Sequence, residues 1–199
     1  MAESIDDILK YGELAQASYD TDNFSVQQKT NFEDDYEIKA TSSDYGIGTA
    51  SGFDAILFEE KDNPGKYILA IRGTDDGFDL IADAALGVAG ITFSQQVSMI
   101  NFYKKLIEDN IMSSTTNLTV TGHSLGGFLA QLFTAQYGSI VDHAYTYNVP
   151  GVGGVMMETL DDLGVPVDVS SSKITNIYAE EGLEVELYSK VVFEGSMKK

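Results

Sequence analysis

The sequence has no cysteine and only two histidines among its 199 residues. The absence of cysteine excludes a disulfide framework, a thiol nucleophile and any zinc site built from thiolates. Two histidines also make a zinc site of another kind a poor interpretation. We therefore expect neither a cysteine-dependent enzyme nor a zinc enzyme.

Positive charge is scarce as well. Twelve lysines and arginines stand against 31 aspartates and glutamates, which gives a formal net charge of −19. Such a charge repels nucleic acid and anionic membrane surfaces, so we expect no nucleic-acid partner. It suits a protein in a salty or calcium-containing medium, and a solvated acidic surface is the simplest interpretation of most of these acids.

Long hydrophobic runs are absent too. No apolar run approaches the ~20 residues that a membrane span needs, so no transmembrane segment is predicted. The polar, acidic residues 1–10 do not have the pattern of a Sec signal peptide, which leaves localisation open between the cytoplasm and secretion by another route. No linker, repeat or break in composition is visible, and we expect residues 1–199 to form one domain.

Hydrophobic periodicity divides the chain into alternating strands and helices. A turn signal at 62–65 joins two of the strands into a β-hairpin, whereas the polar, turn-rich residues 19–35 predict no element. Strands that alternate with helices predict an α/β fold with a mainly parallel sheet covered on both faces. The predicted helices are 4–18, 95–109, 128–137 and 155–163, and the predicted strands are 36–40, 53–58, 67–71, 117–121, 144–149, 174–178 and an extended element at 184–193.

The motif Gly-x-Ser-x-Gly at 122–126 stands between a predicted strand and a predicted helix. In this context it is typical of a nucleophile elbow, in which the serine has a strained backbone and the glycines allow close strand–helix contact. The turn lifts the Ser124 hydroxyl above the carboxyl end of the sheet and points the amide of Leu125 at the oxyanion that forms after attack. The alternative is a glycine-rich loop between two core elements.

Three stretches in order resemble the α/β-hydrolase fold and, within it, the class 3 lipases and related bacterial lipase-like proteins. They are the strand ending in Arg72-Gly73-Thr74, the elbow Gly122-His123-Ser124-Leu125-Gly126-Gly127, and the strand ending in Asn148-Val149-Pro150-Gly151. The resemblance covers about 65–180 and implies a three-layer α/β-hydrolase fold. It also implies a carboxylic ester hydrolase that acts on acylglycerols or similar lipid esters, with thioester or peptide cleavage as an alternative chemistry on the same fold.

The resemblance implies a role for several residues. Ser124 would be the nucleophile, and the amides of Thr74 and Leu125 would form the oxyanion hole, with the Thr74 hydroxyl as a third donor. The triad acid would follow the strand 174–178, where Glu184 precedes a valine as the family's aspartate often does. Glu180 and Glu181 are close alternatives, and all three could equally be solvated loop acids.

Residues 84–93 fall where such lipases carry a lid. Their small side chains and glycines suit a segment that hinges and offers an apolar surface to an acyl chain, so we expect contact with a lipid interface there. The alternative is an ordinary buried helix.

The base of the triad is not found in this sequence. The order on this fold is serine, acid, histidine, but no histidine follows His143. His123 is expected to point into the fold, away from Ser124. His143 opens its strand and is expected roughly 15–20 Å from the carboxyl ends of the strands.

The family's histidine would come some tens of residues after the acid, beyond residue 199. We therefore expect the sequence to be the amino-terminal part of a longer lipase-like protein, with the fold incomplete at its C-terminal end. The alternatives are a family member that has lost its base and a module that binds acyl chains or a partner.

Four carboxylates lie within nine residues, at Asp75, Asp76, Asp79 and Asp83. Hard cations prefer oxygen ligands, which makes calcium a candidate ion here. The spacing is not that of an EF-hand, and Asp79 and Asp83 correspond to family aspartates with no known need for a metal. We expect no other cofactor, and the sequence leaves the oligomeric state open.

Overall fold

The computed structural model describes residues 4–19, 26–73, 85–149 and 171–178. The described α-helices are α1 Ile5–Ala17, α2 Val26–Asp35, α3 Ala85–Glu108 and α4 Leu125–Tyr137. The described strands are β1 Tyr36–Thr41, β2 Ala55–Glu60, β3 Tyr67–Ile71, β4 Leu118–His123, β5 Val141–Tyr147 and β6 Ile174–Ile177. Short 3-10 helices at Ser42–Tyr45 and Ser171–Lys173 precede β2 and β6. The predicted elements at 155–163 and 184–193 lie outside the described residues.

Within these ranges the strands form one six-stranded sheet in the order of the sequence, β1-β2-β3-β4-β5-β6. The first three strands pair antiparallel, and β3 to β6 pair parallel. The pairing of β3 with β4 runs from Tyr67 opposite Leu118 to Ile71 opposite Gly122, so their carboxyl ends reach the same edge of the sheet. The predicted α/β fold with a mainly parallel sheet is confirmed.

The larger hydrophobic core lies between one face of the sheet and the helices α3 and α4. The connections from β3 to β4 and from β4 to β5 step in the same direction, and right-handed crossovers of this kind bring both helices to one face. Large side chains from both helices are at most 1% exposed there, namely Phe102, Leu106, Phe128 and Phe133. Helix α4, which follows the elbow, is therefore held firmly against the sheet.

Helix α1 covers the opposite face and completes a three-layer arrangement. Ser4 caps its start by accepting a hydrogen bond from the amide of Asp7 at 3.0 Å. The ring of Tyr11 stacks on Tyr145 of β5 with 4.3 Å between the ring centroids. The Thr121 hydroxyl of β4 donates to the carbonyl oxygen of Tyr11 at 2.8 Å. Helix α1 is therefore anchored over β4 and β5.

Helix α2 corrects the prediction that 19–35 contains no element. It contacts the rest of the fold through Phe32, whose ring centroid lies 5.2 Å from that of Tyr36 and 5.3 Å from that of Phe58, and through the carbonyl oxygen of Asp35, which accepts from the Lys61 amide at 2.9 Å. The sequence of α2 is mostly polar and has no apolar periodicity, so tertiary packing rather than an amphipathic pattern orders it.

Helix α3 begins at Ala85, ten residues before the predicted start at 95. The predicted lid segment 84–93 is therefore, from 85 onward, the first part of a 24-residue helix rather than a separate element. Among the described helices, none is both long and apolar enough to cross a membrane.

Candidate active site

Ser124 forms the turn between the end of β4 at His123 and the start of α4 at Leu125. Its φ of 54° and ψ of −125° lie outside the regions that residues with a side chain ordinarily adopt. The Ser124 amide donates to the carbonyl oxygen of Tyr147 at 2.9 Å, and the Ser124 carbonyl oxygen accepts from the amide of Phe128 at 3.1 Å. The turn is thus held from both sides in the strained geometry that a nucleophile elbow requires.

Two glycines allow the close approach of helix and strands at this turn. A Cβ on Gly122 would lie 2.5 Å from the carbonyl oxygen of Gly126, and a Cβ on Gly126 would lie 2.2 Å from the carbonyl oxygen of Ile71. These obstacles are backbone atoms, which cannot move aside as the end of a flexible side chain can. Any larger residue would push α4 away from β3 and β4.

The chain just after β3 lies against the elbow. A Cβ on Gly73 would come within 2.8 Å of the carbonyl oxygen of His123 and within 3.2 Å of the amide nitrogen of Gly126. Thr74, the expected oxyanion donor, directly follows Gly73 in the sequence but lies outside the described residues. The expectation that its amide faces Ser124 therefore stays a prediction, which the position of Gly73 supports.

Tyr19 joins this site from the end of α1, and sequence reasoning missed it. Its hydroxyl oxygen accepts a hydrogen bond from the amide of Gly73 at 3.0 Å and lies 3.4 Å from Nδ1 of His123. The guanidinium carbon of Arg72 lies 5.5 Å from the centroid of the Tyr19 ring. No local signal could have revealed these contacts, because Tyr19 stands in a polar stretch 104 residues before His123.

A cleft with a volume of about 530 Å³ opens beside Gly73. Its walls include the apolar side chains of Ile47 and Phe53 as well as Arg72 and Asp54, which form an ion pair at 3.6 Å. A volume of this size is in the usual range for small-molecule sites. The cleft therefore offers room for part of a ligand next to the strand end that meets the elbow.

The two histidines occupy different environments. Burial lowers the pKa of His123 to about 4, so its imidazole is neutral at physiological pH. His143 lies opposite Thr119 near the start of β5, and its Nε2 is hydrogen-bonded to Oγ1 of Thr175 at 2.8 Å. It precedes Tyr147, the partner of the Ser124 amide, by four residues, or about 13 Å along a strand.

The remaining expected site residues lie outside the described residues. These are Glu180, Glu181 and Glu184 as candidate acids, and Asp75, Asp76, Asp79 and Asp83 as candidate calcium ligands. Within 4–19, 26–73, 85–149 and 171–178, no group of three or more histidine or acidic side chains is arranged to hold a metal ion. The acid and the calcium site therefore stay predictions.

A comparison with protein-family models gives one match that spans most of the chain. Residues 10–182 match the model described as "Phospholipase-like: Tle-like phospholipase domain". The matched range includes Tyr19, the Arg-Gly-Thr strand end and the elbow. No curated protein sequence matches this chain significantly.

Solved structures of lipases share the fold. Lipase II from Rhizopus niveus aligns with a TM-score of 0.58 and 17% identity over 92% of this chain and 75% of its own. The Lip2 lipase from Yarrowia lipolytica aligns with a TM-score of 0.58 and 21% identity over 92% and 73% of the two chains. M37 lipase aligns with a TM-score of 0.50 and 16% identity over 99% and 81%. At these identities the likeness shows the α/β-hydrolase fold of lipases.

Proposed function

This chain belongs to the Tle-like phospholipase domain family, and from that premise we propose that Ser124 is the nucleophile of a lipase-type ester hydrolase. Family and fold are those of lipase-type hydrolases, which supports a lipid ester as the substrate. We propose carboxylic esters of the acylglycerol type, glycerophospholipids included, as the substrate class. We also propose that residues 1–199 act as a single domain.

The backbone of Ser124 is the observation that carries this proposal. A serine with φ of 54° at a strand–helix turn is strained, and the turn persists because its amide and carbonyl groups are both bonded and its glycines are in contact with β3. Strain of this kind is concentrated at functional sites, since a merely structural turn would be more stable with a relaxed residue. A nucleophile presented at the turn, partly accessible to solvent, is the function that this geometry best explains.

In the proposed reaction, the Ser124 hydroxyl oxygen bonds to the ester carbonyl carbon while a base takes the hydroxyl proton. The carbonyl electron pair moves onto oxygen, which accepts hydrogen bonds from the amides of Leu125 and Thr74, with the Thr74 hydroxyl as a third donor. The bond to the alcohol then breaks, and the alcohol leaves with the proton from the base. Water cleaves the acyl-enzyme by the same steps and releases the fatty acid.

Candidates for the triad acid are present in this sequence, whereas neither histidine suits the role of the base. We propose Glu184 as the acid that orients the base, with Glu180 and Glu181 as alternatives. His123 contacts Tyr19, and His143 is bonded to Thr175 far along β5, so neither histidine is our choice of base.

Contact with a lipid surface is proposed for the first part of α3. Phe93 and Val97 lie four residues apart, so they share one face of this helix, and they are 45% and 42% exposed. Phe93 ends the apolar stretch 84–93 and Val97 lies one helical turn beyond it, so contact of both side chains with acyl chains would remove apolar surface from water. The cleft beside Gly73 would then receive part of the substrate.

The positions of the two histidines favour a second candidate function. A lipase-like module without a base would keep the acyl pocket and bind acyl chains or a partner without turnover. This alternative predicts binding of fatty acids but no contribution of Ser124 to hydrolysis under any condition.

Chemical rescue separates the two functions. Hydrolysis of p-nitrophenyl butyrate is measured with and without imidazole, which can act as an external base. The proteins compared are the wild type, Ser124→Ala and the control Ser114→Ala. The side chain of Ser114 is exposed in a remote loop. We expect imidazole to increase the rate of the wild type and the control above that of Ser124→Ala. Equal rates for all three proteins would contradict the proposed nucleophile. Dihexanoylphosphatidylcholine and dihexanoylglycerol, assayed in the same way, test the substrate class.

A further inference from the structure

Tyr19 occupies a junction that the proposed reaction leaves unexplained. It lies two residues beyond the end of α1 at Ala17. Its side chain reaches the carboxyl ends of β3 and β4. The amide of Gly73 donates to its hydroxyl oxygen at 3.0 Å. The same oxygen lies 3.4 Å from both Nδ1 and the carbonyl oxygen of His123.

A phenol hydroxyl can serve both of these neighbours at once. It has one proton to donate and lone pairs to accept with, so it accepts from Gly73 and donates towards the acceptors of His123. Gly73 follows β3, whereas His123 ends β4 and directly precedes Ser124. One hydroxyl therefore bridges the end of β3 and the end of β4, next to Ser124.

The surroundings fix the phenol in this position. The Arg72 guanidinium packs over its ring at 5.5 Å from the centroid and is itself paired with Asp54. A Cβ on Gly73 would lie 2.4 Å from the Tyr19 hydroxyl oxygen, so the hydrogen bond depends on glycine at this position. The position of the Tyr19 hydroxyl thus requires glycine at position 73.

We propose that Tyr19 is a positioning residue whose hydroxyl holds the Gly73 amide, and with it the end of β3, against the turn at Ser124. This inference rests on the proposed function, because it assigns Tyr19 a role in the same oxyanion site. It makes the end of α1 a support of the active site rather than only a cover for the sheet. It also gives a reason for a tyrosine where hydrophobic packing alone would be satisfied by phenylalanine.

The test compares a ligand that has an oxyanion with one that has none. Octanoate and octan-1-ol are titrated into 15N-labelled protein, and binding is followed at the backbone amide of Leu125, the proposed oxyanion donor, rather than at that of Gly73, which itself donates to Tyr19. Tyr19→Phe keeps the ring for Arg72 but removes the hydroxyl. The matched control is Tyr67→Phe, because Tyr67 lies at the other end of β3 and its hydroxyl also bonds to a backbone carbonyl oxygen, that of Ile111 at 3.3 Å.

We expect Tyr19→Phe to weaken octanoate binding about tenfold and octanol binding less than about twofold, whereas Tyr67→Phe changes neither. Unchanged octanoate binding in Tyr19→Phe would overturn the inference and leave the proposed function standing. Equal weakening of both ligands would overturn it as well, because that result indicates a damaged pocket. If octanoate does not perturb the Leu125 amide of the wild type, the proposed oxyanion site fails, and the role of Tyr19 fails with it.

A smaller chemical change at Tyr19 provides a second test if Tyr19→Phe does not fold. Replacement of Tyr19 by 3-fluorotyrosine keeps the hydroxyl and the ring but makes the oxygen a weaker acceptor for the Gly73 amide. We expect octanoate binding to weaken in the same direction by about twofold to threefold, with octanol binding unchanged. Octanoate binding equal to that of the wild type would contradict the proposal.

Discussion

At the scale of single residues, the contact between Gly126 and β3 sets a strict requirement for glycine at the turn. Gly126→Ala would place a Cβ 2.2 Å from the carbonyl oxygen of Ile71, and we expect it to cost about 3 kcal/mol or more in the free energy of unfolding. The control is Gly46→Ala, where φ is +64° but no atom lies within 4 Å, so the cost should be about 1–2 kcal/mol of backbone strain. Urea unfolding measures both. Equal costs would show that the elbow tolerates a side chain there.

His123 links the site to pH. Burial lowers its pKa from 6.5 in the unfolded chain to about 4, so between these values the unfolded state binds more protons than the folded state. The contribution of the neutral His123 imidazole to the free energy of unfolding is therefore fully present above pH 6.5 and is lost as the pH falls towards 4. We expect a loss of roughly 2–3 kcal/mol over this range, reduced by the partial exposure of the ring.

Urea unfolding of the wild type and His123→Gln between pH 7 and pH 4.5 checks this prediction. Carboxyl groups titrate over the same range in both proteins, so the difference between the two free energies of unfolding isolates His123. That difference should shift in favour of the variant as the pH falls. A difference that does not change with pH would mean that His123 has an ordinary pKa.

The sequence predicts local backbone geometry well where that geometry depends on neighbours along the chain. The turn at Ser124 and the need for glycine at 122 and 126 follow from one hexapeptide, and the structure has the corresponding geometry. Tyr19 was missed because its partners, Gly73 and His123, are 54 and 104 residues away in the sequence. Hydrogen bonds of that span depend on tertiary packing, which no local pattern encodes.

At the scale of elements, the docking of α1 on β4 gives a testable link. The Thr121 hydroxyl crosses from β4 to the carbonyl oxygen of Tyr11, whereas the Thr134 hydroxyl bonds to Ala130 within its own helix, both at 2.8 Å and both buried. We expect Thr121→Val to cost about 1 kcal/mol and Thr134→Val less than about 0.5 kcal/mol. Hydrogen exchange should become faster in α1 only for Thr121→Val. The opposite ranking would show that the bond from Thr121 to Tyr11 does not hold α1 in place.

The strands were predicted more accurately than the helices, for a physical reason. β2 and β3 combine apolar and β-branched residues with a strong turn signal between them, so pattern and turn chemistry agree. α2 has no such pattern, and its contacts with the fold are tertiary ones, such as the packing of Phe32 on Phe58 and the hydrogen bond from the Lys61 amide to the carbonyl oxygen of Asp35. The early start of α3 was missed because glycines at 87 and 90 lower helix propensity, which the surrounding fold overrides.

At the scale of the whole molecule, the topology concentrates the site at one edge of the sheet. The carboxyl ends of the parallel strands β3, β4 and β5 lie at one edge of the sheet. Helices α1, α3 and α4 pack on its two faces. The sequence predicted this arrangement because alternating strands and helices allow few topologies. It could not predict a base for Ser124, since neither histidine carries a pattern that points to that role.

The last prediction follows from that missing base: the 199-residue polypeptide should be a poor esterase when no external base is added. The Ser124 hydroxyl stays protonated and weakly nucleophilic without an imidazole beside it. Loss of a triad member typically leaves ~10³–10⁴-fold catalysis over water, from the oxyanion hole and binding. A fluorophosphonate probe should therefore label Ser124 slowly, and Ser124→Ala should change the unassisted rate little.

His143→Ala is the control for this prediction, and its activity should equal that of the wild type, because His143 is bonded to Thr175 about 13 Å along β5 from the elbow. Its loss should lower only stability, by about 1 kcal/mol for one hydrogen bond. Fast hydrolysis of p-nitrophenyl butyrate that Ser124→Ala abolishes would refute the prediction. If His143→Ala abolished it too, His143 would have to reach Ser124 in a second arrangement of β5. If it did not, the base would be a group other than His143, and a survey of Glu180, Glu181 and Glu184 variants would be the next step.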